Sequence, residues 1–330
     1  MIRIELWADV VCAWAYIGKR RVEAALRGRE GEVEVVWRPF RIDPMTPAEA
    51  APLAEVLQGP LVDAALQQCA PGLSAAENRV RVSEIAAAEG LGPRWGAAWR
   101  ASSHDAHRLI ALAYEHGGAR LQDAVVEVVL RAHFVEGLDI SLAETLDGVA
   151  GAAGFSEGGP LLRAGGGDAA VRELLLRGKA IGVTTSPTLV VHGEALVGAH
   201  APEVIAEFVA RAAEVAPRVL PAEVERFRHA ETLLDKGDPL GCLSLLQPLM
   251  DAYEKDQNVR LLAARAYFRS AQLGRARTTL EALVAEVPDD AYARLMLGRV
   301  LERQGLGEEA APHLRIASAM DPSLTRPAVR

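Results

Sequence analysis

The sequence predicts two fold classes in one chain: an α/β domain whose small sheet is interrupted by an all-helical insertion, and then an all-α repeat solenoid. Three observations carry this. Short apolar runs at residues 2–8, 33–38, 188–191 and 195–197 read as strands, two before and two after a long block. That block, 61–182, carries apolar residues at three- and four-residue spacing, as helices with one covered face do. From residue 223 the sequence repeats itself every 34 residues.

The elements follow in order. Ile2, Ile4 and Leu6 alternate with polar residues, which predicts a strand with one covered face. It runs into a helix that starts near Cys12, continues to about Leu26 and is closed by Gly28 and Gly31. Residues 33–38 are rich in β-branched residues and read as a second strand, and the proline-rich stretch 40–60 is a loop. Helices are expected at 61–69, 75–89, 104–116, 120–136, 142–153 and 169–181, with Asp139 and Ser141 as start signals and Gly165-Gly166-Gly167 as a break. His192-Gly193-Glu194 is a tight turn between the last two strands, and 201–213 is a closing helix with Pro202 in its first turn.

Pro217 and Pro221 bracket a linker at 216–222. Beyond it Ala230, Ala264 and Gly298 fall in register, as do Leu233, Tyr267 and Leu301, then Cys242, Ala276 and Ala310, then Leu246, Leu280 and Leu314. This small–large–small spacing resembles tetratricopeptide repeats, and three units over 223–324 suffice for a stable stack, with 325–330 as a tail. Such a stack displays a groove for a protein partner. Cys242 stands in a column otherwise held by alanine and is read as a packing residue.

Half of the residues are hydrophobic and 24% are charged, the balance of a globular protein that buries a core. A net charge of −8 argues against nucleic acid and anionic membrane as main partners. No run approaches a spanning helix, no secretory signal is visible, and three cysteines do not make a disulfide framework. A reducing cytoplasm is the expected compartment.

The chemistry centres on Cys12. A cysteine at a strand-to-helix turn meets free backbone N–H groups and the positive end of the helix dipole, so it is expected to be more acidic than a free thiol. The position three residues on is Ala15, so no disulfide can close across this turn. Cys69 is the one other cysteine of the first domain that could resolve an adduct. His104 and His107 share a helix face, but no carboxylate or cysteine set completes a metal site.

Asp9, Cys12, Trp14, Tyr16, Ile17, Gly18, Lys19, Arg20 and Arg21 resemble the active-site stretch of the DsbA family, in particular its FrnE-like cytosolic branch. Ala13 and Ala15 depart from it. Further matches are Val36-Trp37-Arg38-Pro39-Phe40, Asp105-Ala106-His107-Arg108-Leu109, His133-Phe134-Val135-Glu136-Gly137 and Gly182-Val183-Thr184-Thr185-Ser186-Pro187-Thr188. The resemblance covers roughly 1–213 and implies a thioredoxin fold over 1–215 with its helical insertion at about 45–182. It implies Cys12 as nucleophile, a motif completed by Ala13, Trp14 and Ala15, and a substrate groove formed by Trp14, Tyr16, Ser186 and Pro187, with the Ser186–Pro187 bond cis. Activity would be monothiol exchange with protein or peptide thiols. No cofactor is expected beyond glutathione as a co-substrate. Two other readings stand beside it. A thioredoxin-like domain without a dithiol, fused to tetratricopeptide repeats, is similar in architecture to the chaperedoxin holdases. The same fold also houses glutathione-dependent 2-hydroxychromene-2-carboxylate isomerases and kappa-class transferases, which use serine where this chain keeps Cys12.

Overall fold

A computed structural model describes residues 1–29, 31–57, 70, 72–216 and 219–325. The expected helix at 61–69, with Cys69, and the end of the tail lie outside the described residues. Contacts divide the chain into two compact units, Met1–Arg218 and Val219–Arg330.

In the first unit β1 (Ile2–Ala8) leads into α1 (Ala13–Ala25) and then β2 (Val33–Pro39). After the insertion come β5 (Thr188–Val191), β6 (Glu194–Val197) and α8 (Pro202–Glu214). The sheet order is β2-β1-β5-β6, with β1 parallel to β2 and antiparallel to β5. The register pairs Leu6 with Trp37 on one side and with Leu189 on the other. This is the mixed four-stranded thioredoxin core.

The insertion holds a two-stranded sheet of β3 (Ala51–Pro52) and β4 (Trp99–Arg100), with α2 (Leu53–Val56) and α3 (Ala75–Ala88) between them. α3 starts in a capping box, in which the Ser74 and Glu77 side chains each meet the other's backbone N–H. α4 (His104–Phe134) is followed by α5 (Ala143–Ala152), α6 (Gly158–Arg163) and α7 (Asp168–Ile181). The helices expected at 104–116 and 120–136 run together as α4, with non-helical geometry confined to Gly117 and Gly118, where φ is −140° and +63°. Three features escaped the pattern: the β3–β4 pair, because two-residue strands have no periodicity, and the short helices α2 and α6, which are too brief to show one.

The expectation of a single covered face on β1 is corrected. From Ile4 onward every residue of β1 is buried. Ile4, Leu6 and Ala8 join the main core. On the other face Trp7 is fully buried, and a Cβ on Gly178 of α7 would stand 2.6 Å from its ring. Glu5, also buried, is held on that face by Arg38 at 2.9 Å and Arg177 at 3.1 Å. β2 is an edge strand, and Gln122 of α4 covers it as a neighbouring strand would. Its amide accepts from Trp37 N at 2.8 Å and donates to Trp37 O at 3.1 Å, which leaves no free ladder groups there.

The second unit is three antiparallel helix pairs: α9 (Ala222–Asp235) with α10 (Pro239–Ala252), α11 (Gln257–Arg269) with α12 (Leu273–Glu286), and α13 (Ala291–Arg303) with α14 (Gly307–Met320). The small column Ala230, Ala264 and the large column Leu246, Leu280 are fully buried. Asp238, Asp256 and Asp290 cap α10, α11 and α13 by accepting from the N3 or equivalent backbone N–H at 2.8–3.0 Å. Cys242 is fully buried, and burial pushes its thiol up to about 12, which makes it a packing residue.

Because Trp7 is enclosed, the Gly178–Trp7 contact has no room to relax. Gly178→Ala is expected to destabilise the first unit by about 1–3 kcal/mol through overpacking, despite the better helix propensity of alanine. A denaturant midpoint equal to or above wild type would refute this account of the α7–sheet packing.

Candidate active site

Cys12 occupies the N-cap position of α1, in extended geometry with φ −91° and ψ 117°. The chain reaches that geometry because the turn is closed from both sides: Cys12 N donates to Asp9 O at 3.0 Å, and Ala15 N donates to Cys12 O at 2.9 Å. Val11, Cys12, Ala13 and Trp14 are half-buried and pack against the rim of the core. The Sγ–H donates to the carbonyl of Ser186 at 3.5 Å. The Ser186–Pro187 bond is cis.

Asp9 ties this turn together. It is 1% exposed, and its carboxylate accepts from Ile42 N at 2.7 Å and from His107 Nε2 at 3.3 Å. Its backbone N–H donates to Ser186 Oγ at 2.9 Å. His107 Nε2 also donates to Phe40 O at 3.0 Å. The Cys12 turn, the loop after β2 and the start of α4 therefore meet on one buried carboxylate, and the loop before β5 joins them through the backbone N–H of the same residue. Pro187 is seated on α1 at Gly18, where a Cβ would stand 3.0 Å from the proline ring.

The surroundings reverse the expected acidity of Cys12. Burial pushes its thiol above the ordinary cysteine value, and the charge of Asp9 adds to this. Ser186 and the backbone N–H groups of Ala15 and Trp14 pull down without cancelling it. Ala15 is fully buried in the core cluster, so the position of a second thiol is filled by a methyl group.

The expectation that Tyr16 lines a groove is also corrected. Tyr16 is 2% exposed, packs against Trp95 and Phe134, and donates its hydroxyl to Glu127 at 2.7 Å. Lys19, only 4% exposed, meets Asp123 at 3.0 Å and Glu127 at 3.2 Å, and also Glu23. Burial alone would raise Glu127, but Lys19, Tyr16 and Arg20 outweigh it and hold the carboxylate below its ordinary range. This cluster pins α1 to α4. Trp14 is half-buried, with the Arg81 guanidinium 6.0 Å from its ring. Ser186 and Pro187 turn their side chains inward, and Thr184 and Thr185 beside them are exposed.

His104 is not beside His107's partners. It bonds Asp168 of α7 at 2.8 Å. Among the described residues no group of three or more His, Cys, Asp or Glu side chains is placed to hold a metal. His133 was legible in the sequence only as part of a matching stretch. It is 1% exposed, its Nδ1 has no partner, and it rests edge-on to Phe134 at 4.7 Å. Burial lowers it to about 4, with Asp9 and Asp139 working in the opposite direction.

A half-buried cysteine at the helix start thus stands beside a cis proline and next to a mixed four-stranded sheet, and a family profile matches this part of the chain. That profile, of the DSBA-like thioredoxin domain, matches residues 3–210. The chain belongs to the DSBA-like thioredoxin-domain family. A tetratricopeptide-repeat profile matches 261–324. A comparison with curated proteins finds no match. Among solved structures, a probable DsbA oxidoreductase from Streptomyces coelicolor is 28% identical with a TM-score of 0.57, over 67% of this chain and 94% of that one. A 2-hydroxychromene-2-carboxylate isomerase is 16% identical with a TM-score of 0.47, over 64% and 95% of the two chains. The cytosolic disulfide reductase DsbM from Pseudomonas aeruginosa is 18% identical with a TM-score of 0.42, over 65% and 100%. At that level of similarity neither of the last two bears on activity. No helix among the described residues is long and apolar enough to cross a membrane.

Two pH dependences follow for this DsbA-family site. The alkylation rate of Cys12, read from the mass of its own peptide, is expected to rise through a midpoint above that of free cysteine, and Asp9→Asn is expected to move the midpoint down. A wild-type midpoint below that of the free thiol would show the helix terminus dominating instead. For His133 the folded value lies below the unfolded one, so the unfolded chain binds the extra proton. Its contribution is complete above the ordinary 6.5 and is lost as pH falls toward 4, a loss of about 3 kcal/mol. His133→Gln is expected to shrink the difference between denaturation midpoints measured at pH 7 and at pH 4.5, and an unchanged difference would remove His133 from the account.

Proposed function

We propose that this DsbA-family protein works through Cys12 alone, forming slow and long-lived mixed disulfides with protein thiols or glutathione in the cytoplasm, while its repeats hold the protein partner. The observation that carries the reading is Cys12 at the α1 N-cap, against the Ser186 carbonyl, with buried Ala15 three residues on.

The chemistry follows from the atoms present. The Cys12 thiolate attacks one sulfur of a disulfide. A new S–S bond forms, the old one breaks, and the departing thiolate takes a proton from water. Release requires an external thiolate to attack the adduct, which returns Cys12 as thiolate. The same step in a dithiol protein is intramolecular, and here no neighbouring thiol supplies it at this turn. A thiol with a raised pKa is also a poor leaving group, so the adduct persists once made. Both features favour capture and protection of a partner sulfur over rapid turnover. This draws the monothiol reading toward the holdase reading, because an adduct that persists protects a thiol as a holdase protects a client.

Intact-mass spectrometry after exposure to oxidised glutathione tests the proposal. Wild type is expected to carry one glutathione, lost in Cys12→Ser and kept in Cys69→Ser. Ala15→Cys is expected to replace that adduct by an internal disulfide and to raise the rate of insulin reduction by about tenfold or more. Loss of the adduct only in Cys69→Ser, or no adduct at all, would remove Cys12 from the function.

A further inference from the structure

The β2 edge of the main sheet is covered at one end and open at the other. Backbone groups along this strand alternate in direction. Ile2 N donates to Glu32 O at 2.7 Å and Phe40 N donates to Ala8 O at 3.2 Å, so the even-numbered residues of this segment face β1. The odd-numbered ones face away from it. Trp37 agrees with this phase, because its N–H and C=O both meet Gln122. Pro39, in the same phase, has no N–H to leave unpaired. Val33 and Val35 remain, and their outward N–H and C=O groups have no partner among the described residues.

Both valines line a groove of about 830 Å³ beside the strand. Its floor is apolar: Leu6 and Val22 are buried there, and Leu26, Val33 and Val35 pack half-buried on the same core. α1 forms one wall, and Ala119, Arg120 and Asp123 of α4 form the other. The charged residues around the groove balance, with Lys19, Arg29 and Arg120 against Glu23, Glu34 and Asp123. The two faces of the strand differ. Val33 and Val35 pair in register with Ile2 and Ile4 and share their core-facing side, while Glu34 on the opposite face meets exposed Arg3 at 2.8 Å.

We infer that the open end of β2 takes one extended, neutral segment of an unfolded partner polypeptide as an added strand, with apolar side chains at every second position. This goes beyond exchange at Cys12 and does not depend on the repeats. Outward N–H and C=O groups repeated two residues apart are matched by extended backbone, whose own groups have the same spacing. The alternation follows from the two faces: one set of side chains enters the apolar groove, and the other lies in water on the side of Arg3 and Glu34. The balanced charge around the groove favours neither an acidic nor a basic segment. A second folded copy is the poorer occupant, because α4 closes the edge at Trp37 and a copy offering its own β2 would bring that same helix with it.

The test uses the full chain and short fluorescent peptides of alternating Val–Thr or Ser–Thr, read by fluorescence anisotropy. Two further forms of the Val–Thr peptide carry N-methyl groups, one on every valine nitrogen and one on every threonine nitrogen. The Val–Thr peptide is expected to bind, and the Ser–Thr peptide to bind about tenfold more weakly or less. An antiparallel strand bonds β2 through its groove-facing valines and a parallel one through its threonines, so one methylated form is expected to lose binding and the other to keep it. Val33→Pro and Val35→Pro each remove an outward N–H that holds nothing else among the described residues, and each is expected to weaken binding about tenfold. Val80→Ser, at an exposed position on α3, is expected to leave it unchanged. Circular dichroism melts confirm that the variants fold. No binding of the Val–Thr peptide, equal effects of the two methylations, or indifference to both proline variants would overturn the added strand. A chain that sediments as a dimer in wild type and as a monomer in Val35→Pro would give the edge to a second copy instead. The glutathione adduct at Cys12 is read separately by mass, so failure here leaves the exchange reading standing.

Discussion

The buried carboxylate of Asp9 is the constraint on which the first unit depends. A carboxylate taken out of water is costly unless every lone pair finds a donor. Here the donors come from far apart in sequence: Ile42 N is 33 residues on and His107 Nε2 is 98 on, while the Asp9 N–H itself reaches Ser186 Oγ, 177 on. Satisfying the carboxylate therefore fixes the spacing of the Cys12 turn, the loop after β2 and the first turn of α4, and the N–H of the same residue ties in the loop before β5. The hydrophobic core brings these elements together without specifying their register to a fraction of an ångström. The carboxylate does so, and it also lies near enough to Cys12 to act on its proton.

That second effect explains why the sequence misleads about the thiol. A strand running into a helix shows the helix terminus, and a terminus is worth about 0.3–1 kcal/mol, up to about 2 in favourable geometry. Burial of an ionisable group shifts its equilibrium by as much as several times that. Which term wins depends on how deeply the turn is set into the core, with the charge of Asp9 as a lesser contribution. Neither is visible in a string of residues. Ala15 shows the opposite case: its chemical consequence was legible at once, and its burial follows from lying on the inner face of α1.

Much of the fold was legible because its signals are local and repeated. The four strands of the main sheet, the helical block between them and the 34-residue period each rest on patterns several residues long. The failures share a cause as well. Gly117-Gly118 reads as a stop, yet one distorted turn lets α4 continue because both halves are packed against the same core. Tyr16 sits four residues from Cys12 and, on a helix, could have faced either way. Glu127, supplied by α4, decides that it faces inward. His133 carries no local signal of its depth, since a histidine at helical spacing among apolar residues is compatible with the rim or the core.

The two units answer each other's weakness. A thiol held mostly protonated reacts slowly with partners at micromolar concentration, by the fraction of thiolate it lacks. Tethering changes the comparison. In the proposed reading a partner held by the repeats meets the thiol from within one complex and not from dilute solution. That advantage goes to the partners the repeats hold. A more acidic Cys12 would react with every disulfide it met. In the proposed reading the two units therefore divide the work: low intrinsic reactivity of a buried thiol limits indiscriminate exchange, and the choice of partner passes to the repeats.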